Sequence, residues 1–136
     1  WCDDARLTSA LVDGVRVASL YVPNGRTLDH PHYLFKLAWL DTLRAQVERW
    51  ASEGPLVVGG DLNVAPTDLD CWNPRGFRGR THVSPAERER ARALTVDGGG
   101  PLVDLWRACH GDDAVGSLLR KRTQQRPMVL PKIIEV

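Results

Sequence analysis

At 136 residues, with 43% hydrophobic residues and five Trp, the chain is long enough for one domain with a real core and too apolar for a disordered tail. The net charge of +1 conceals an asymmetry: residues 115–136 hold Arg120, Lys121, Arg122, Arg126 and Lys132 against Glu135 alone, which leaves the preceding residues mildly acidic. That balance excludes a globally basic nucleic-acid binder, so any polyanion must be met locally or through a metal.

The first expected element is a hairpin. Leu7–Val12 and Val15–Val22 are β-prone runs joined by Asp13-Gly14, the composition a type I′ turn prefers. Tyr21-Val22-Pro23-Asn24-Gly25 closes the second run, because Pro23 lacks a ladder donor and Asn24-Gly25 supplies turn chemistry. Tyr21 therefore sits at a strand end beside a loop. Tyr33, Leu37, Leu40, Leu43, Val47 and Trp50 then recur every three or four positions, with Lys36, Asp41, Arg44, Glu48 and Arg49 between them, which predicts a helix over 33–51. Gly54-Pro55 ends it. Leu56-Val57-Val58 reads as a short core strand that runs out through Gly59-Gly60-Asp61-Leu62-Asn63 to Pro66. Hairpin, helix and strand in this order point to a mixed α/β sheet, and ligands usually sit at loop ends beside such strands.

Residues 66–83 contain Pro66, Pro74, Gly76 and Gly79 without a sustained period, which predicts a long ordered loop. Ser84-Pro85-Ala86-Glu87 has a capping residue, Pro at the first helical position and Glu at the third, so a helix is expected from here to about Val96. Gly98-Gly99-Gly100-Pro101 stops it, and Leu102–Cys109 reads as a second short helix. Pro127 and Pro131 interrupt the C-terminal residues, so the chain divides into a body at 1–114 and a divergent basic tail at 115–136, where Arg120-Lys121-Arg122 reads as a solvated run. Cys2, Cys71 and Cys109 are odd in number, far apart and without a secretory signal, which argues for a reducing, cytoplasmic setting. No apolar run approaches the ~20 residues of a membrane span.

The chemistry concentrates at Asp61 and Asn63. Two residues apart at a strand end, they alternate to one face and present a carboxylate and a carboxamide, an arrangement for holding a metal-bound phosphate. The competing reading is a turn in which both side chains bond locally. Other candidates carry less. His30-Pro31-His32 has no second pair at ligand spacing and reads as a loop before the long helix. Asp68-Leu69-Asp70 is a metal-binding pair or an exposed turn, and Cys109-His110 lacks a partner to orient a base. His82 is expected to bond locally, while Arg75, Arg78 and Arg80 either meet phosphates or stand in a solvated loop.

Three segments in order carry a resemblance to a known family. They are Ser19-Leu20-Tyr21-Val22-Pro23-Asn24-Gly25; Gly60-Asp61-Leu62-Asn63-Val64-Ala65-Pro66-Thr67-Asp68-Leu69-Asp70 with Cys71-Trp72-Asn73-Pro74; and Thr81-His82-Val83-Ser84-Pro85-Ala86-Glu87-Arg88 followed by Leu102-Val103-Asp104. From about Leu7 to Asp113 the sequence resembles the exonuclease III family of DNA-repair nucleases, within the endonuclease/exonuclease/phosphatase superfamily. The resemblance implies a partial four-layer α/β sandwich of the deoxyribonuclease I-like type, lacking N-terminal and C-terminal strands. It implies hydrolysis of DNA phosphodiesters at abasic sites and 3′ ends of duplex DNA, with Mg²⁺, or Mn²⁺ in its place, as cofactor. On that basis Asp61 orients and deprotonates the attacking water, Asn63 holds a phosphate oxygen or the metal, and Tyr21 donates its hydroxyl. Asp61 and Asn63 are the implied metal ligands.

The departures set the expectation for activity. The family's upstream Asn and metal-binding Glu have no counterpart before Leu7, and its downstream Trp-rich Asp motif and Asp-His pair have none in residues 115–136. The chain thus reads as the middle of the family domain, starting at Trp1, with a shifted frame near Ala114 as one account of the tail. Little or no nuclease activity is expected of it alone. A complete domain would be a monomer, and a fragment would tend to aggregate through its open strand edges. Two alternatives stand beside this reading: a superfamily phosphatase or phosphodiesterase acting on another substrate, and a non-catalytic fragment.

Overall fold

A computed structural model of the chain describes residues 5–112 and 134–135. Strands β1 (Leu7–Val12) and β2 (Val15–Tyr21) form the expected hairpin, with Val12 opposite Val15. Asp13 and Gly14 take φ of 49° and 83°, the two positive values a type I′ turn demands. The chain then crosses over through helix α1 (Pro31–Glu53) and returns as β3 (Leu56–Asp61), parallel to β2. Parallel neighbours need such a crossover, and α1 supplies it.

Helix α1 begins two residues earlier than its apolar period. His30 is its N-cap, with the ring Nδ1 accepting the His32 N–H at 3.0 Å, and Pro31 fills the first position, where no donor is missed. The segment expected as a preceding loop is therefore the helix start. Ala18 and Leu20 of β2, Val22 just after it, and Leu56 and Val58 of β3 are buried in one cluster with Trp39, Leu40, Leu43, Val47 and Trp50 of α1. The alternation leaves Val17, Ser19 and Tyr21 exposed on the opposite face, and the register puts Val57, Gly59 and Asp61 beside them.

Gly60 is required by this pairing. Its φ is 129°, and a Cβ there would lie 2.0 Å from the Leu20 carbonyl oxygen. Gly60→Ala is expected to force β2 and β3 apart at their site end and to cost about 3 kcal/mol, read as a lower urea midpoint.

Residues 66–83 are irregular apart from a 3₁₀ turn at Asp68–Asp70 and a single-turn helix, α2 (Pro74–Phe77). Helix α3 (Pro85–Arg92) opens with the expected capping box, Ser84 Oγ accepting the Glu87 N–H at 3.2 Å and the Glu87 carboxylate accepting the Ser84 N–H at 3.1 Å. It stops at Arg92 rather than near Val96, because the glycine run folds back on the helix end. A Cβ on Gly98 would lie 2.2 Å from the Arg92 carbonyl oxygen, and one on Gly100 2.3 Å from that of Ala93.

The segment 102–109 is not one helix. Strand β4 (Val103–Asp104) comes first, and Asp104 then caps helix α4 (Leu105–His110) by accepting the Arg107 N–H at 3.2 Å. Strand β5 (Ile134–Glu135) lies antiparallel to both β3 and β4, giving the order β1-β2-β3-β5-β4. Two residues of the expected tail thus belong to the sheet, and the rest of it, Arg120-Lys121-Arg122 included, lies outside the described residues. Helix α3 packs on α1, and Ala91, Leu94 and Leu102 join the same core. The described residues form one mixed sheet with its core under α1 and α3. Among them no helix is long and apolar enough to cross a membrane.

Candidate active site

Tyr21 and Asp61 are register partners at the ends of β2 and β3, so their side chains leave the same face of the sheet, roughly 4.8 Å apart at the backbone. Tyr21 is half exposed, with the Arg6 guanidinium 5.5 Å from its ring centroid. The Val22 N–H donates to the Asp61 carbonyl at 2.8 Å and carries the pairing one residue past the strand.

Asn63 joins them by a different route from the one expected. Strand β3 ends at Asp61, so Asn63 does not alternate onto its face; the residue turns into the left-handed region at φ 47°. Asn and Asp tolerate that region better than other side chains. Its N–H donates to Asp61 Oδ1 at 2.8 Å, and its Nδ2 donates to the Val22 carbonyl at 2.8 Å. The local turn and the candidate site are one arrangement: the turn aims one carboxylate oxygen at Asn63 and ties both strand ends together.

Beneath this turn lies a buried ion pair. Lys36 and Glu87 are 0% exposed, with Nζ 2.5 Å from Oε1. The ammonium also donates to the Asn63 carbonyl at 2.6 Å and to the Asn24 carbonyl at 3.5 Å. The carboxylate accepts from the Ser84 N–H and Oγ at 3.1 and 2.6 Å and from the His82 N–H at 3.0 Å. His82 is in the left-handed region, φ 75°, and its Nδ1 lies 2.5 Å from the Asn63 carbonyl; a carbonyl only accepts, so that nitrogen carries the proton. The local bonding expected of His82 is thus joined by a contact nineteen residues back.

Burial lowers the Lys36 pKa from its ordinary 10.5, against the opposing pull of Glu87 and then Asp61. Burial pushes Glu87 up, but the Lys36 ammonium, the Ser84 side chain and the His82 N–H outweigh it and hold the carboxyl below its ordinary 4.5. The unfolded chain therefore binds this proton more readily than the folded one. The contribution is full above the ordinary value and is lost as pH falls through the lower folded one. Glu87→Gln is expected to flatten that part of an acid unfolding curve followed by circular dichroism.

The remaining acidic candidates are committed to arginines. Asp68 accepts from Arg88 at 2.8 Å, so it is not a free metal ligand. Asp70 caps the Thr67 N–H at 2.9 Å and pairs with Arg107, which also holds Asp104 and Asp112. Arg75, Arg78 and Arg80 are exposed, and Cys109-His110 lies on α4 with the His110 ring against Trp106. Mg²⁺ prefers a near-octahedral set of oxygens. Asp61 and Asn63 offer one carboxylate and one carboxamide, and among the described residues no three His, Cys, Asp or Glu side chains come together as a metal-holding group. The described residues do not complete a Mg²⁺ or Mn²⁺ site.

No family model matches the sequence. The chain is 30% identical over 110 residues to the exodeoxyribonuclease of Bacillus subtilis (strain 168), covering 80% of this chain and 42% of that protein. It is 32% identical over 112 residues to the DNA repair nuclease APEX1 of Danio rerio, covering 82% and 34%. The structure of the 3′-5′ exonuclease NExo from Neisseria meningitidis superposes with a TM-score of 0.79 at 31% identity, over 98% of this chain and 54% of that one. The chain carries part of an exonuclease III-like domain. An AP endonuclease from Archaeoglobus fulgidus, 24% identical, shares the fold at the same TM-score over 98% and 53%. This exonuclease III-like chain therefore spans less than half the length of the curated relatives and about half that of the solved ones. The expected fold class stands: a mixed α/β architecture of the deoxyribonuclease I-like type, truncated relative to its neighbours.

Lys36 and Glu87 are the participants sequence reasoning missed. A signal existed, since Lys36 stands four residues before Leu40 and continues the stripe Leu40, Leu43, Val47, Trp50 backwards. A charge on a core stripe demands a partner, and Glu87 at the third position of a capped helix is one.

Proposed function

We propose that this chain is part of a DNA-repair phosphodiesterase of the exonuclease III type, hydrolysing duplex DNA at abasic sites and 3′ ends. The observation that carries this reading is the in-register pair of Tyr21 and Asp61 with Asn63 bonded onto the carboxylate. The relatives support DNA as the substrate: one is an exodeoxyribonuclease, one a DNA repair nuclease, and the Neisseria protein is described as a 3′ phosphatase bound to a product DNA hairpin.

In this reading Asp61 Oδ1 is occupied by the Asn63 N–H, which leaves Oδ2 to orient a water and take its proton. The half-exposed Tyr21 hydroxyl donates to the phosphate from the neighbouring strand. The Asn63 carboxamide is buried with one Nδ2 hydrogen on the Val22 carbonyl, and its second hydrogen meets the same phosphate as negative charge builds on it; fixed neutral donors of this kind offset that charge without reorganising. Asp61 and Asn63 are at most a partial set of ligands for a divalent cation. The central portion of the domain at 1–114, joined in the sheet by Ile134–Glu135, works in the cytoplasm, where Cys71 and Cys109 stay as free thiols, and a complete domain is monomeric.

The test is cleavage of two end-labelled duplexes, one with a single abasic site and one with a recessed 3′ end, in Mg²⁺ and in Mn²⁺. The chain alone is expected to cut at least ~100-fold more slowly than the Bacillus subtilis relative. The cut should fall at the abasic site or proceed from the 3′ end. Equal rates would refute the expected weakness, and cutting at undamaged internal sites would refute the substrate assignment.

A further inference from the structure

Lys36 is the point where the two site-bearing loops meet. An ammonium has three donors, and here each has a taker: Glu87 Oε1, the Asn63 carbonyl after β3, and the Asn24 carbonyl after β2. Tyr21 leads into the Asn24 loop, and Asp61 into the Asn63 loop. One side chain from α1 thus reaches under both. His82 donates to the same Asn63 carbonyl from the third segment, at 2.5 Å. The packing is close as well, since a Cβ on Gly25 would lie 3.1 Å from Lys36 Cδ.

Stability alone does not account for a charged pair in this position. A buried ion pair is often matched or bettered by apolar side chains of similar volume, because both charges must be stripped of water. What an apolar pair cannot do is donate to two carbonyls at once. The Asn63 carbonyl receives two donors, and that peptide belongs to a residue held at φ 47°, whose N–H then points at Asp61 Oδ1. Loss of the donors frees the residue to relax toward the ordinary right-handed or extended regions, which would carry its N–H off the carboxylate.

We infer that Lys36, held by Glu87 and seconded by His82, is a positioning residue that locks Asn63 in its left-handed conformation and so fixes the Asp61 carboxylate and the Tyr21 loop relative to each other. The inference rests on the reading of Asp61 and Asn63 as the reacting pair, and its test does not use catalysis.

Amide hydrogen exchange at Asn63 is measured by NMR in the full chain and in two pair replacements, Lys36→Met/Glu87→Gln and Lys36→Met/Glu87→Leu, each screened for cooperative thermal unfolding. In a replacement that folds, exchange at Asn63 is expected to accelerate at least tenfold, while the Val57 and Val58 amides in β3 keep their protection. Lys36→Arg, which retains charge and donors, should restore most of the Asn63 protection. Unchanged Asn63 exchange in a folded replacement overturns the inference, as does equal acceleration across β3. Failure of both replacements to fold also overturns it, by making the pair a stability element. Asp61→Asn tests the catalytic reading separately: if it leaves DNA cleavage untouched while Asn63 exchange responds as stated, the nuclease assignment falls and the positioning role stands.

Discussion

Lys36→Met is expected to destabilise the protein by about 3–5 kcal/mol, enough to remove most of the margin of a small domain. The substitution leaves Glu87 fully buried with its charge and without its cation, and it also strips one donor from the Asn63 carbonyl and one from Asn24. Glu87→Gln should cost less than Lys36→Met, because an amide oxygen in the Oε1 position can still accept from the Lys36 ammonium and the His82 N–H, although the amide nitrogen then faces the Ser84 N–H and the ammonium is left without a counter-charge. Combining the two removes both charges. The double variant should therefore be more stable than the sum of the single effects by about 1 kcal/mol or more, a coupling that urea unfolding of the four proteins measures directly. Additive single effects would mean that the two charges do not depend on each other, against the 2.5 Å geometry.

The parts of the fold that are legible in the sequence share a physical cause. Hairpin, capped helix and crossover helix are each specified by near neighbours: Asp13-Gly14 by its positive φ, Ser84 with Glu87 by a reciprocal cap, α1 by its stripe. Asp61 and Tyr21 can be placed at strand ends for the same reason. The illegible parts depend on distant contacts. The end of α3 is set by glycines that return against its last carbonyls, and among the described residues the strand at Val103–Asp104 pairs with β5, which arrives from thirty residues on. Asn63 reads as a strand residue and is not one, because periodicity carries no information about where a strand stops. Lys36 continues the core stripe yet reads as solvent-facing, because an amphipathic pattern sorts a lysine to water unless its partner, fifty-one residues away, is also seen. Local pattern thus locates the candidate residues at the strand ends, while the frame that holds them is built from contacts no local pattern contains.

Asp61→Asn is expected to lower whatever DNA cleavage the chain performs by two to four orders of magnitude, with little change in stability. The size reflects the loss of a positioned base, typically worth about 10²–10⁴. Little should happen to the fold, because an Asn at 61 keeps an oxygen for the Asn63 N–H, presently 2.8 Å from Oδ1, and gives up only the negative charge. Tyr21→Phe keeps the ring against Arg6 and removes the hydroxyl, so its effect should be smaller, about tenfold to a hundredfold, and again without loss of stability. Joined in one protein, the two changes should cost less than their product, since groups that act on one transition state are not independent. Because the rate of the unmodified chain is itself expected to be low, the comparison belongs in single-turnover conditions with enzyme in excess over labelled duplex. Metal removal by a chelator should abolish the signal to the level of Asp61→Asn. A cleavage rate indifferent to both the chelator and the substitution would show that the activity does not come from this site, however well the two strand ends are aligned.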